Sequence, residues 1–275
     1  MFAFALDTLE EPRIISLIED VKNLESNKTN FGFRKLRLIN VENPEQLKLE
    51  IEKATANFDN QGCIYLLNHN NSILTGTFIS NIKILKFKKN DITLTGYVWH
   101  QPKGYYKAWI MKMNNQITGK NIWKSFEKDE LQGWLVFALN NMHSGISKEN
   151  LKIEIDGDDF HNLDEFFCTL GEEINGLPGY FGRNIPALYD CMRGDFGVES
   201  IKELTWKNHQ KSKKLFKTKF TEILQIFEEF NVKINLQKKT DLQDLSSKNI
   251  SSYFLFYIDY LFNFGSVLFD GIFYP

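Results

Sequence analysis

The chain has 275 residues, of which 43% are hydrophobic and 25% charged, and its formal net charge is −2 at pH 7. This composition is typical of a soluble globular protein, and the length allows one or two domains with a full hydrophobic core. The near-neutral charge gives no overall attraction to polyanions, so we expect no nucleic-acid partner.

The cysteines and the chain ends indicate the compartment. Three cysteines, Cys63, Cys168 and Cys191, are too few and too far apart for a disulfide framework, and they suit a reducing environment. Residues 1–7 lack the basic segment of a signal peptide. Residues 251–275 are rich in aromatic side chains but contain carboxylates that are costly in lipid, so we expect no membrane span. We therefore expect a cytoplasmic protein.

The first 145 residues are predicted to form a mixed α/β, sheet-rich domain of unknown role. Hydrophobic periodicity predicts strands at 33–40, 62–68, 81–89, 91–99 and 105–113, and helices at 44–58 and 131–142. Residues 143–147 are predicted to be a linker. The aromatic segment 237–275 is predicted to be an extension that packs on the rest of the protein.

Residues 151–236 are predicted to form a second domain, in which strands alternate with helices. Strands are predicted at 151–155, 200–206 and 232–236, and a helix at 220–230. Asn162, with Glu165 three residues later, predicts the start of one helix, and Asn184, with Pro186 in the first turn, predicts the start of another. This alternation indicates a parallel α/β sheet.

Charge is unevenly distributed in this second domain. Residues 152–203 contain 12 acidic and 4 basic side chains. Such an excess is typical of a solvated face, and it also suits a docking surface for a basic partner.

A glycine-rich loop at 177–184 leads into the helix that Asn184 caps, and this helix carries Tyr189 beside Asp190. The tyrosine ring supplies stiff contact area, and the carboxylate accepts charge-assisted hydrogen bonds from basic groups. The pair is therefore a candidate recognition site for a protein.

The stretch from Leu177 to Cys191 resembles the barstar family of intracellular ribonuclease inhibitors. It fits the pattern L-P-x-Y-[YF]-G-x-N-x-x-A-L-[WY]-D-C, which is the loop and second helix of that family. Similar stretches follow at Trp206 to Leu215 and at 223–229. The resemblance implies a three-stranded parallel sheet with helices, and an inhibitor that needs no cofactor or metal.

The resemblance also implies a binding mode, in which acidic side chains take the place of RNA phosphates in the basic active site of a ribonuclease, of the toxin or extracellular type. Asp190 matches the central carboxylate, and Glu229 matches an acid on the last helix, although Glu228 is adjacent. The other matching contact positions are Tyr180, Gly182, Asn184 and Tyr189.

Two residues depart from the family pattern. Pro186 stands where a second aspartate is usual, and Arg183 stands where an acid is usual. Asp195 or Glu199 could restore negative charge nearby. The departures leave the identity of the ribonuclease open.

Two other functions stay open on the sequence. In the first, the fold has drifted and residues 1–150 carry the main binding activity. In the second, Asp190 and Glu229 form the carboxylate pair of a hydrolase, but no nucleophile, metal site or oxyanion cradle is evident beside them. The five histidines have no metal-ligand spacing.

Overall fold

The computed structural model of the protein describes residues 1–6, 12–28, 30–57, 60–142 and 147–238. It contains a closed six-stranded barrel followed by a three-stranded parallel sheet. The predicted α/β fold class is therefore confirmed. The predicted extension at 237–275 and the predicted linker at 143–147 lie almost wholly outside the described residues, and the domain boundaries stay a prediction.

Six antiparallel strands form the barrel. They are β1 (Phe2–Leu6), β2 (Arg13–Lys22), β3 (Phe31–Val41), β4 (Gln61–Leu67), β5 (Ile73–Lys88) and β6 (Asp91–Trp99), in the ring order β1-β2-β3-β6-β5-β4. Alternate residues point inward, so that Leu36 and Leu38 of β3 and Leu94 and Val98 of β6 are fully buried. The strands predicted within 33–99 are confirmed, whereas β1 and β2 were not predicted.

Helix α1 (Pro44–Ala56) closes one end of the barrel. It contacts β2 and β5, which lie on opposite sides of the ring. Its apolar side chains Leu47, Ile51 and Ala54 are buried, at the spacing that puts them on one helix face.

Residues 105–113 form helix α2 (Tyr105–Met113), so the predicted strand was wrong. Tyr105, Ala108 and Trp109 are buried at i, i+3 and i+4, a helical spacing that the run of aromatic residues obscured. The helix begins after Gly104, whose φ of 93° needs a glycine. It packs against α3 (Leu131–Asn140), which confirms the predicted second helix.

The second sheet is built as predicted. Its elements are β7 (Leu151–Asp156), α4 (Leu163–Asn175), α5 (Ile185–Met192), β8 (Ile201–Lys207), α6 (His209–Phe216), α7 (Thr218–Glu229) and β9 (Lys233–Leu236). The strands lie parallel in the order β7-β8-β9. Asn162 caps α4 as predicted, because its side chain accepts the Glu165 N–H at 3.0 Å.

Aromatic rings fill the core of this second part. Phe166 of α4 stacks on Trp206 of β8, with ring centroids 5.3 Å apart, and Phe160 contacts both rings. The indole N–H of Trp206 donates to Ser212 Oγ at 3.1 Å, which satisfies its buried polar atom. The lysine-rich helix α6 is thus held to the sheet by Trp206 and Ser212.

Helix α4 connects the second part to the first, and α3 packs directly on it. Glu172 is buried there and accepts the backbone N–H of Asn121 at 2.9 Å, while Glu173 pairs with Lys120 at 2.9 Å at the surface. Burial raises the pKa of the Glu172 carboxyl above its ordinary value. The contact thus buries a carboxylate at some cost.

We predict that Glu172→Gln is at least as stable as the native chain at about pH 7.5. The raised pKa means that the folded protein holds the Glu172 proton more tightly than the unfolded chain, so stability falls as pH rises from the unfolded to the folded pKa. Glutamine removes this penalty, and its carbonyl oxygen still accepts the Asn121 N–H. Urea denaturation should show the advantage of the variant growing as the pH rises above the ordinary pKa of a glutamate.

The matched control is Glu173→Gln, which breaks only a surface ion pair and should change the free energy of unfolding by less than about 1 kcal/mol. If Glu172→Gln is instead clearly less stable than the native chain at the higher pH, the ionised charge contributes to the contact and our interpretation is wrong.

Candidate protein-binding site

The loop before α5 lies directly against helix α4. A Cβ on Gly179 would come within 2.0 Å of the Gly171 carbonyl oxygen, and a Cβ on Gly171 would come within 2.4 Å of the Gly179 oxygen. Both positions therefore require glycine, because the two backbones touch. This contact fixes the path of the loop and hence the start of α5.

Asn175 holds both ends of the segment around α5. Its side-chain amide donates to the carbonyl oxygen of Tyr180 at 2.8 Å, before the helix, and to that of Phe196 at 2.9 Å, after it. Gly182 then turns the chain with a φ of 91°, close against the Leu188 backbone. The loop is thus tied by hydrogen bonds from a neighbouring helix end.

Helix α5 begins as predicted at Asn184, whose side-chain oxygen accepts the Ala187 N–H at 2.8 Å. Pro186 occupies the first turn, where its missing N–H leaves no bond unmade. Pro186 and Asp190 are four residues apart and therefore share one helix face. Both are exposed, whereas Leu188 and Cys191 are buried on the opposite side.

Helices α5 and α7 meet through Tyr189. Its ring packs edge-on against Phe230 with centroids 5.4 Å apart, and its hydroxyl donates to Glu229 Oε1 at 2.8 Å. This carboxylate next to the phenol raises the pKa of Tyr189. Tyr189 and Glu229, which are 40 positions apart in the chain, thereby meet at one surface. Asp190 follows Tyr189 on the same helix.

Asp190 is exposed and forms no salt bridge with any residue that the structure describes. The same holds for Glu228 and Glu229 at the end of α7, and for Asp195 and Glu199 after α5. No cation among the described residues neutralises these charges, so they are available to a basic partner. We call the surface formed by Tyr189, Asp190 and Glu229 the acidic face.

Comparison with known proteins assigns this part of the chain to a family. The family model Barstar, described as barstar (barnase inhibitor), matches residues 150–245. A protein of Bacillus subtilis (strain 168), named "Putative ribonuclease inhibitor YrdF", is 33% identical over 78 residues, which cover 28% of this chain and 82% of that protein.

The chain belongs to the barstar family. Residues 151–236, which carry β7 to β9, are called the barstar-like module below. The barrel lies outside the residues that the family model matches.

The barstar-like module places the predicted contact residues at different depths. Asn184, Asp190 and Glu229 are exposed, and Tyr189 is partly exposed. Tyr180 is only 4% exposed, and burial raises its pKa to about 12, so its ring chiefly supports the loop beneath the surface. Gly182 is also buried. The roles of all six residues in partner binding stay predictions.

Two hydrogen-bonded contacts around the barstar-like module were not predicted from the sequence. The first is the hydrogen bond between Tyr189 and Glu229, which distinguishes Glu229 from the adjacent Glu228. The second is Gln132 of α3, whose amide donates to Asp164 Oδ1 at 2.8 Å and to the Arg183 carbonyl oxygen at 3.2 Å. No sequence signal connects residues so far apart.

Two other kinds of site are absent from the residues that the structure describes. No group of three or more histidine, cysteine, aspartate or glutamate side chains there could hold a metal ion. In the same ranges, no helix has the length and apolar character needed to cross a membrane.

We predict that Gly179→Ala lowers the free energy of unfolding by about 1–3 kcal/mol, because the new methyl group has no room against the backbone of α4. The loop before α5 must shift to accept it, so partner binding should weaken as well. Thermal and urea denaturation measure the first effect. Gly119→Ala is the matched control, since no atom lies within 4 Å of the new methyl group; an equal loss in both variants would contradict the proposed contact.

Proposed function

We propose that the protein inhibits a ribonuclease by inserting the acidic face into its active site. The observation that carries the proposal is Asp190, an exposed carboxylate without an ion pair among the described residues, at the end of a firmly held helix. Membership of the barstar family supports it, as does the name of the Bacillus subtilis relative.

In this proposal, Asp190 enters the site that normally binds an RNA phosphate. Basic side chains that bind a phosphate oxyanion can bind a carboxylate with charge-assisted hydrogen bonds. Glu229 provides a second negative charge, which Tyr189 holds in position before the partner arrives. Such preorganisation reduces the entropy lost on binding.

The surrounding charge favours encounter with a basic enzyme. Negative charge on one partner and positive charge on the other raise the association rate, and salt screens this effect. The inhibitor would need no cofactor. With three cysteines that form no disulfide among the described residues, it would act in the cytoplasm, where thiols stay reduced.

In our proposal, the target ribonuclease differs from barnase in the charge pattern of its binding surface. The exposed Pro186 leaves one carboxylate fewer on the face that holds Asp190, and Arg183 adds a positive charge nearby. Like charges placed opposite each other are unfavourable, so the enzyme should lack a cation opposite Arg183. We therefore expect inhibition of a ribonuclease related or analogous to barnase, but not barnase itself.

Asp190→Ala should weaken binding to the inhibited ribonuclease by at least about 2 kcal/mol, because truncating the carboxylate leaves the cations of the enzyme buried and unpaired. The test screens secreted and toxin ribonucleases for inhibition of RNA cleavage, and measures the affinity for those inhibited. Glu154→Ala is the matched control, since it removes an exposed carboxylate on β7. A loss below about 1 kcal/mol for Asp190→Ala would count against the site.

Tyr189→Phe should weaken binding mainly through Glu229. The double-mutant cycle of Tyr189→Phe and Glu229→Gln should give a coupling energy of at least about 0.5 kcal/mol in the binding free energy, because both changes break one hydrogen bond. Additive losses would show that Tyr189 contacts the partner independently and does not position Glu229.

The drifted-module hypothesis is the second candidate, and Pro186 and Arg183 favour it. It would place the main binding activity in residues 1–150. It predicts that Asp190→Ala leaves the biological partner bound, whereas substitutions on the barrel release it. The hydrolase hypothesis gains no support, because Asp190 and Glu229 are both exposed and lack the burial that commonly tunes catalytic carboxylates.

A further inference from the structure

The outer surface of the barrel has a face on which aromatic and basic side chains are segregated in rows. Residues paired across neighbouring strands form each row, and successive rows lie about 6.8 Å apart along the strands. We call this surface the aromatic–basic face. Its rows are Phe31–Trp99, Phe33–Tyr97–Ser80, Lys35–Thr95–Lys83 and Lys22–Arg37–Thr93–Lys86, followed by Asp91–Lys88.

The first two rows form a continuous patch of exposed rings. Phe31, Phe33, Tyr97 and Trp99 are 45%, 59%, 41% and 58% exposed. The rings of Phe31 and Tyr97 are nearly parallel at 5.8 Å, while Trp99 contacts Phe31 at 5.3 Å and Phe33 contacts Tyr97 at 5.4 Å. Single exposed apolar residues are common, but a connected patch of this kind marks a binding surface.

The next rows carry excess positive charge. Arg37 pairs with Asp91 at 2.7 Å, and Lys22 pairs with Asp20. Lys35, Lys83, Lys86 and Lys88 form no salt bridge with any residue in the described ranges. A surface groove of about 500 Å³ runs among these side chains, lined by Lys35, Arg37, Lys86 and Lys88.

Cross-strand aromatic pairs also stabilise sheets, but this role does not explain the segregation of the rows. A protein partner would be expected to find its aromatic contacts at the centre of a polar rim. Here the rings lie at one end of the face and the cations at the other. An extended ligand with flat rings and regular negative charges fits both halves at once.

We propose that the aromatic–basic face binds single-stranded nucleic acid. Unpaired bases stack on the exposed rings, and the neighbouring phosphates contact the lysines, which is the combination that sequence-tolerant single-strand binding proteins use. Stacking and phosphate contacts do not involve the sugar, so RNA and DNA strands of one length should bind within a few-fold of each other. The expectation of no nucleic-acid partner rested on whole-chain charge, which conceals this local excess.

Trp99 provides a direct signal for the test. It is the one exposed tryptophan of the five in the chain, since Trp109, Trp123, Trp134 and Trp206 are buried. A base stacked on Trp99 should quench its fluorescence. Acrylamide should also quench it in the free full-length protein; if it does not, other residues of the chain already cover the face and the proposal fails.

The experiment titrates the full-length protein with oligouridine and oligothymidine of about 12 nucleotides, a length within the usual site size of small barrels. Trp99 fluorescence reports binding in the native chain, and calorimetry measures the affinity of every variant, including those that lack Trp99. Phe33→Ala and Trp99→Ala should each weaken binding by about tenfold, whereas Trp99→Phe should keep most of the affinity and lose the fluorescence signal. Circular dichroism and thermal unfolding confirm that each variant is folded.

Lysine substitutions test the basic half of the face separately from the aromatic substitutions. Lys83→Gln with Lys86→Gln should weaken binding and make the plot of log affinity against log salt concentration shallower by about 1.4, at about 0.7 per phosphate contact. The matched control is Lys213→Gln with Lys214→Gln, two exposed lysines of α6 in the barstar-like module. This control should leave the affinity unchanged.

Three results would overturn the proposal: no binding at low salt, equal competition by polyglutamate, or binding that the face variants do not change. Equal competition would show that the face attracts any acidic polymer, proteins included. The proposal is independent of ribonuclease inhibition. Asp190→Ala should weaken inhibition without changing oligonucleotide affinity, and Trp99→Ala should weaken oligonucleotide binding without changing inhibition.

Discussion

The contact between Gly171 and Gly179 decides where the candidate site lies. Two backbones touch there without side chains between them, so the loop before α5 follows the surface of α4 closely. Asn175, at the end of the same helix, then ties down the chain on both sides of α5. Because α4 also packs on α3 of the first part, the orientation of Asp190 depends on contacts that reach well beyond its own helix.

The hydrogen bond from Tyr189 to Glu229 adds order more than stability. Both groups are exposed to water, where such a bond contributes little to the free energy of folding. Its effect is to reduce the number of conformations that a surface glutamate samples. A carboxylate that is already oriented loses less entropy when a cation approaches it, so the bond is expected to matter for binding affinity rather than for unfolding.

The sequence predicted the barstar-like module better than the barrel, for a physical reason. Asn162 and Asn184 mark helix starts through bonds to residues three positions away, so their signals are local. The barrel instead closes through pairing of β1 with β4, about 60 residues apart, and no local pattern encodes that pairing. Helix α2 was mistaken for a strand because consecutive aromatic side chains satisfy both periodicities. The pairing of Tyr189 with Glu229 required the packing of α5 on α7.

The net charge of −2 describes neither the acidic face nor the aromatic–basic face. Residues 1–150 contain 19 basic and 16 acidic side chains, whereas residues 151–236 contain 11 basic and 15 acidic ones. The net charge of the whole chain is therefore small because opposite excesses in these two parts cancel. At physiological ionic strength, salt screens charges beyond about 8 Å, and a ligand therefore responds to the face nearest to it. The acidic face and the aromatic–basic face can thus attract partners of opposite charge on one chain, which is why local rows of charge, and not their sum, determine the ligands that such a protein binds.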